Sequence, residues 1–247
     1  MKKILEDYIG AIKKLPLKDK YTKEEILIDE FLIERCKDIE IYYATHNEYI
    51  NPKARVFIVG ITPGFQQMSD SIAEARKSIE ENIEIEEIKY LCKVAGRFSG
   101  PLRKNIISML DEIKLNEALG VRSTSELFDN SDNLLHTISL IPYPVFVKGK
   151  NYTGHSPKLI KSDILMKYVY ENFVDEVKRF EEIMIIPLGK AVEEVLEILI
   201  KDGVIREEQV LRGFPHPSGA NVNRLTQLES NKKNLIKFIK EYKIKKE

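Results

Sequence analysis

Three short runs of branched apolar residues constrain this chain most. They are "ARVFIVG" from Ala54, "LLHTISLIPYPVF" from Leu134 and "EIMIIPLG" from Glu182. Runs this short and this uniformly apolar suit strands covered on both faces. Long stretches with apolar residues at three- and four-residue spacing separate them. "SDSIAEARKSIEENIEIEEIKYLCKVAG" reads as one or two helices, and "SGPLRKNIISMLDEI" as another with Pro101 near its start. "KLIKSDILMKYVYENFVDEVKRF" and "KAVEEVLEILIKDG" are helical, the latter closed by Gly203, and "EEQVLRGF" predicts a short fourth strand. Strands alternating with helices imply a parallel sheet with helices on both faces. The expected fold is α/β, a three-layer α/β/α sandwich around a central, mostly parallel four-stranded sheet.

The first fifty residues have a different rhythm. "MKKILEDYIGAIKKL" and "TKEEILIDEFLIERCKDI" carry apolar residues at helical spacing, with Thr22 as an N-cap for the second. This predicts a helical N-terminal extension over residues 1–50 and an α/β domain over 51–247. No internal repeat or linker divides the chain further, so a single domain overall is expected. The closing "KKNLIKFIKEYKIKKE" reads as an amphipathic helix with a solvated Lys face.

Charge and cysteine content narrow the chemistry. Lys and Arg number 39 and Asp and Glu number 39, so no global field favours nucleic acid, and any DNA-binding surface must be local. Cys36 and Cys92 are far apart, which excludes a cysteine zinc site or a four-cysteine cluster; neither metal nor cofactor is expected. No signal peptide opens the sequence and no apolar run is long enough to cross a bilayer, so a cytoplasmic monomer is expected.

In parallel sheets, ligands bind beyond the carboxyl ends of the strands. Three loops leave the strand ends with unusual residues: Gly60–Gly64, Pro142–Ser156 and Phe214–Arg224. "GITPG" can be a tight strand-to-helix turn; it lacks the Lys-Ser/Thr ending of a phosphate loop and the spacing of a dinucleotide fingerprint. "PYPVFVKGKNYTGHSP" mixes Lys148, Lys150, Tyr152 and His155 with Gly and Pro. That mixture suits a phosphate backbone and stacked bases, or equally a solvated loop with a surface histidine. "GFPHPSGANVNR" places His216 between two prolines, ahead of Ser218 and Gly219. Pro, Gly and Asn shape any turn, but a turn does not require His and Ser.

Taken together, "VFIVGITPG" and "HPSGANVNR" resemble the two signature motifs of the uracil-DNA glycosylase superfamily. "GRFSGPLRKNIISML" is similar to its Phe-x-Gly segment before a helix, and "HTISLIPYP" falls where its second strand presents a base-reading residue. The resemblance runs from about Arg55 to the C-terminus. It implies that His216 stabilises the negative charge developing on a departing base. Ser218 and Gly219 would hold a DNA phosphate, with Asn221, Asn223 and Arg224 beside them and Lys148 and Lys150 as further DNA contacts. Phe98 would stack on the flipped base, and Gly64 and Phe65 would border it. Gly64 stands where the uracil-selective branch has a tyrosine that blocks 5-substituted pyrimidines.

The departures from the pattern are specific. Thr62 occupies the place where many members have Asp or Asn for the attacking water; it cannot be a general base, though its hydroxyl can position water. Ser139 replaces an asparagine that reads uracil, and Ala220 replaces the wedge found in some members. Asp70 and Glu74 could supply a carboxylate or simply sit on an exposed helix. The resemblance implies an enzyme that flips a damaged or modified base from DNA, duplex or single-stranded, and hydrolyses its N-glycosidic bond. The base would be one other than plain uracil, such as a modified pyrimidine of phage DNA, with a role in defence. The alternative is a catalytically silent nucleic-acid or nucleotide-binding module of the same fold. An α/β hydrolase fits poorly because no G-x-S-x-G turn occurs.

Overall fold

Seven strands form among the described residues, and they divide between two sheets rather than one. In the computed structural model, which describes residues 3–242, the strands are β1 (Leu32–Cys36), β2 (Ile39–Tyr42), β3 (Val56–Gly60), β4 (Leu135–Ser139), β5 (Val145–Val147), β6 (Lys150–Asn151) and β7 (Met184–Pro187). The order β1-β2-β5-β6 makes an antiparallel sheet and β4-β3-β7 a separate parallel one. The expected central, mostly parallel four-stranded sheet is therefore corrected: the four-stranded sheet is the antiparallel one.

Two local causes account for the difference. "EEQVLRGF" was expected to add a fourth parallel strand, but a 3-10 turn, Glu207–Gln209, consumes its start and Gly213 at φ +82 turns the chain after Leu211. A single parallel bridge from Val210 to Ile185 is all that forms. The second cause lies in the first fifty residues, which are not all helix. Thr22 does precede a helix, Lys23–Ile26, but Lys37 at φ +54 then turns β1 back onto β2. The alternation of Ile39 and Ile41 with Glu40, which is a strand period, prevails over the weaker helical spacing there.

The chain forms two compact units, and each is described by itself. The first comprises Met1–Ile50, Thr62–Arg97 and Ile141–Lys158 and contains the antiparallel sheet. Its helices include Leu5–Lys14, Phe65–Glu80 and Ile85–Gly96, so the long charged segment is two helices, broken at Asn82 (φ +55). Tyr8 stacks on Tyr43 with ring centroids 3.7 Å apart. The Tyr43 hydroxyl donates to Glu48, whose other carboxyl oxygen accepts the Leu5 N–H at 2.9 Å. Burial pushes the Glu48 carboxyl up to about 7, despite the lowering effect of those two hydrogen bonds.

The second unit comprises Asn51–Ile61, Phe98–Leu140 and Leu159–Glu247 and contains the parallel sheet. β3 lies at its centre, paired in register Gly60↔Ser139 with β4 and Val59↔Pro187 with β7. Every residue of β4 and β7 is buried; β7 is uniformly apolar, whereas β4 also buries His136, Thr137 and Ser139. Val56, Ile58, Leu135, Met184 and Ile186 pack into one core with Ile106 and Leu110 of the helix Gly100–Glu112 and Leu228, Leu235 and Ile239 of the last helix, Arg224–Glu241. The expected C-terminal helix is present to Glu241, and its final residues, 243–247, lie outside the described residues. No helix among the described residues is long and apolar enough to cross a membrane.

Candidate functional site

The division between the units passes through "GITPG", between Ile61 and Thr62. His216, Ser218, Gly219, Asn221, Asn223, Arg224, Phe98 and Ser139 belong to the parallel-sheet unit; Thr62, Gly64, Phe65, Lys148 and Lys150 belong to the other.

In the parallel-sheet unit, the carboxyl ends of the strands gather Gly60, Ser139 and the turn after Pro187. Ser139 lies buried opposite Gly60, where a Cβ would stand 3.8 Å from its hydroxyl. Gly189 follows β7 at φ +87 and ψ 172, a conformation in which essentially only glycine is comfortable. A Cβ there would lie 2.8 Å from the His216 Cβ, so the missing side chain is what lets His216 lie against the strand end. The histidine loop is closed by its own hydrogen bonds. The Ser218 N–H donates to His216 Nδ1 at 3.2 Å, Ala220 N–H to Ser218 Oγ at 3.2 Å, and Asn221 Nδ2 to the His216 carbonyl at 3.1 Å. Because Nδ1 accepts, a neutral His216 carries its proton on Nε2.

Asn105 ties that loop to the helix after Phe98, donating to the Pro217 carbonyl at 2.7 Å. Phe98 itself is only 9% exposed and joins the core, while its carbonyl accepts from Arg103. Beyond His216 the loop turns outward. Gly219, Ala220 and Asn223 are exposed, as are two apolar side chains, Val222 at 82% and Leu225 at 61%. Arg224 Nη1 donates back to the Asn221 carbonyl at 3.4 Å.

In the other unit, the structure brings two of the singled-out loops together. The Thr62 hydroxyl donates to the Tyr143 carbonyl at 2.6 Å and accepts the Val145 N–H at 3.1 Å. Its one proton is thus committed, and a single lone pair is left for water. The Phe65 N–H donates to Asn151 Oδ1 at 3.0 Å, and the Gly64 N–H to Gln67 Oε1 at 3.2 Å, which caps the helix Phe65–Glu80. Gly64 has φ −82, so its backbone does not demand glycine, and a Cβ would meet only Asn151 Nδ2 at 3.7 Å. Lys148 (φ +51) and Gly149 (φ +69) form the two-residue turn between β5 and β6, as a type I′ hairpin requires. Lys148 pairs with Asp38 at 3.4 Å and Lys150 is exposed beside it. Lys23 Nζ lies 5.9 Å from the Phe65 ring centroid and 5.8 Å from that of Phe146.

Several residues that sequence reasoning overlooked hold these loops. Asn47 donates to the Pro142 carbonyl at 3.1 Å and accepts from the buried Lys93 ammonium at 3.2 Å. His46 is buried against Gly96, where a Cβ would sit 2.6 Å from its ring, and its Nδ1 has no hydrogen-bond partner. Burial, and then the charge of Lys93, lowers the His46 pKa to about 3, so it is neutral. Gly189 was visible as a glycine directly after a strand; nothing in the sequence marks Asn47 or Asn105. Asp70 accepts from Gln66 at 2.6 Å and Glu74 from Ser78 at 3.2 Å, both along the helix Phe65–Glu80. His155 is exposed, in a bridge to Lys158. Among the described residues, no group of His, Cys, Asp and Glu is placed to hold a metal ion.

No protein-family model matches the chain. Over 239 residues it is 40% identical to the uncharacterized protein YoxB of Bacillus subtilis (strain 168), a match spanning 96% of this chain and 93% of that one. The solved structure of wild-type Pedobacter heparinus SMUG2 is similar at a TM-score of 0.42 and 16% identity over 96% of each chain.

Proposed function

We propose that this chain, which belongs to the same family as YoxB of Bacillus subtilis, is a DNA glycosylase-like enzyme. It flips a base out of DNA and hydrolyses the bond joining that base to deoxyribose. The observation that carries this reading is His216: a histidine seated on a side-chain-free glycine at a strand end, with Nδ1 accepting and the proton therefore on Nε2. Such a group donates a hydrogen bond without itself being charged. When the C1′–N bond breaks, its electron pair moves onto the base, and the Nε2–H stabilises the charge on a base oxygen. Water adds to C1′, and the proton it releases ends on the departing base.

The other roles are those the sequence motifs suggest. Ser218, Gly219, Asn221, Asn223 and Arg224 receive the phosphate backbone, and Lys148 and Lys150 add screened charge contacts. The resemblance gives Phe98 the stacking role and Ser139 the base-reading position, and both side chains are buried, at 9% and 8% exposure. Val222, on the loop pinned at Ser218 and Asn221, and Leu225, in the first turn of the last helix, supply apolar contact to unstacked bases. Thr62 serves chiefly to fasten its loop to Tyr143 and Val145, so the barrier falls mainly through the leaving group rather than through an activated water. The open Gly64 position favours a base larger than uracil, such as a modified pyrimidine of phage DNA, in a defensive role.

The test is abasic-site cleavage on duplexes and single strands carrying a panel of modified pyrimidines. Scission confined to uracil substrates would refute the larger-base assignment. The committed Thr62 proton favours one competing reading, a silent module that binds nucleic acid without turnover. His216→Ala separates the two: loss of turnover by roughly two to three orders of magnitude with DNA binding kept marks an enzyme. DNA binding with no turnover on any substrate, by wild type as well, marks the silent module.

A further inference from the structure

His216 takes its tautomer from one peptide group, and that group has a second partner. The Ser218 N–H that donates to His216 Nδ1 shares a peptide plane with the Pro217 carbonyl, and that carbonyl accepts from Asn105 Nδ2 at 2.7 Å. A trans peptide is rigid and planar, so its N–H and C=O point in opposite directions and turn together. Holding the carbonyl therefore aims the amide. Asn105 belongs to the helix Gly100–Glu112, which follows Phe98 in the same unit.

We propose that Asn105 is a positioning residue for His216, fixing the imidazole through the Pro217–Ser218 peptide with Nδ1 accepting and Nε2 protonated. The donor sets the direction of the whole chain of hydrogen bonds. A side-chain amide nitrogen only donates, so the carbonyl accepts, the N–H of the same peptide donates onward, and a proton on Nδ1 would face that N–H. Each bond polarises the next, which makes the Ser218 amide a better donor than an isolated one. The entry to the loop is fixed from two other helices. The Gly213 N–H donates to Glu193 Oε2 at 3.0 Å and its carbonyl accepts from Asn231 Nδ2 at 2.8 Å. Glu193 also bonds its own N–H to the Gly189 carbonyl at 3.2 Å, so the turn that seats the His216 Cβ holds the loop's entry as well. With entry and seat fixed, rotation of the Pro217–Ser218 peptide decides which imidazole nitrogen carries the proton, and Asn105 opposes that rotation. A donor fixed in advance needs no reorganisation when charge appears on a departing base. That consequence rests on the glycosylase reading; the tautomer itself does not.

The experiment labels the full chain with nitrogen-15 histidine and reads the His216 ring at about pH 8, where an ordinary imidazole is neutral, its signals assigned by their loss in His216→Ala. Wild type should give two well-separated signals, one from an accepting Nδ1 and one from a protonated Nε2. Asn105→Asp keeps the side-chain volume but puts an acceptor in place of the donor, and should draw the two signals together as the other tautomer gains share. Asn105→Ala should do the same, whereas Asn105→Gln, with an amide donor on a longer stem, should recover part of the separation. Lys104→Ala, an exposed neighbour on the same helix, should leave both signals in place. On a substrate that is turned over, Asn105→Asp should lower kcat about tenfold with KM within about twofold. Each variant is first checked for cooperative unfolding in urea; if Asn105→Ala fails, the isosteric Asn105→Asp decides alone. Signals that move in a protein with no turnover support this assignment and count only against the glycosylase reading. Unmoved His216 signals in the Asn105 variants, or an equal shift in Lys104→Ala, would overturn it.

Discussion

Replacing Gly189 with alanine should disable His216 without touching it. Two costs add. At φ +87 and ψ 172 an L-residue pays on the order of 1–3 kcal/mol in backbone strain. The new methyl would then stand 2.8 Å from the His216 Cβ, about 1 Å inside ordinary contact, and relieving that overlap costs about 1–3 kcal/mol more. Gly203→Ala supplies the comparison: Gly203 also has positive φ, +70, but a Cβ there meets nothing within 4 Å, so only a backbone cost of about 1–2 kcal/mol applies. Urea unfolding should show Gly189→Ala as the less stable variant. Nitrogen-15 spectra of the imidazole should show Nδ1 losing its bond from the Ser218 amide, and turnover, where present, should fall. A second change, His216→Gly, removes the colliding Cβ and should recover the overlap part of the loss but not the backbone part. If Gly189→Ala matched Gly203→Ala in stability and left the imidazole signals in place, His216 would not depend on that glycine and the seating argument would fail.

Three further outcomes are expected. Val222→Ala and Leu225→Ala, both exposed, should leave stability within about 0.5 kcal/mol yet weaken DNA binding in a mobility-shift assay; unchanged binding would remove the loop's apolar tip from the interface. Thr62→Val strips an acceptor from the Val145 N–H and a donor from the Tyr143 carbonyl, and should cost about 1–3 kcal/mol in chemical denaturation, whereas Thr62→Ser should retain most of it. Glu48 gives a pH signature. Its folded pKa of about 7 lies above the ordinary 4.5, so the folded state binds the extra proton, and the contribution of this group to stability is greatest below about pH 4.5. It falls as pH rises to 7, by up to about 3 kcal/mol. Glu48→Gln, whose amide can donate to Tyr43 and accept from Leu5, should flatten that slope, and an unaltered slope would place the titration elsewhere.

The sequence and the structure part company where geometry depends on distant residues. The apolar runs at Val56, Leu135 and Met184 were legible as buried parallel strands because a strand covered on both faces leaves a continuous apolar signature. "LLHTISLIPYPVF" was legible only in part: its two prolines end β4, but that Val145–Val147 then joins a different sheet is decided by partners as remote as Ile39 and Ile41. The fourth parallel strand failed because strand propensity in "EEQVLRGF" cannot outweigh a 3-10 turn before Val210 and a positive-φ glycine after it. The same distinction runs through the candidate residues. His216 stood out because histidine between prolines has no backbone purpose, and the structure supplies a chemical state for it that no spacing could: a tautomer fixed by the Ser218 amide. Thr62 stood out for the opposite reason, as a residue in the wrong place for a base, and its hydroxyl turns out to be spent on Tyr143 and Val145. With the His216 Nε2–H as the proposed donor and the Thr62 proton spent within its own unit, the proposed reaction relies on stabilising what departs, so the identity of the base should govern its rate more strongly than the supply of hydroxide. Turnover should then rise as the N–H acidity of the excised base rises and stay nearly flat with pH above neutrality, an order that a rate series across ring-substituted pyrimidines would reveal or deny.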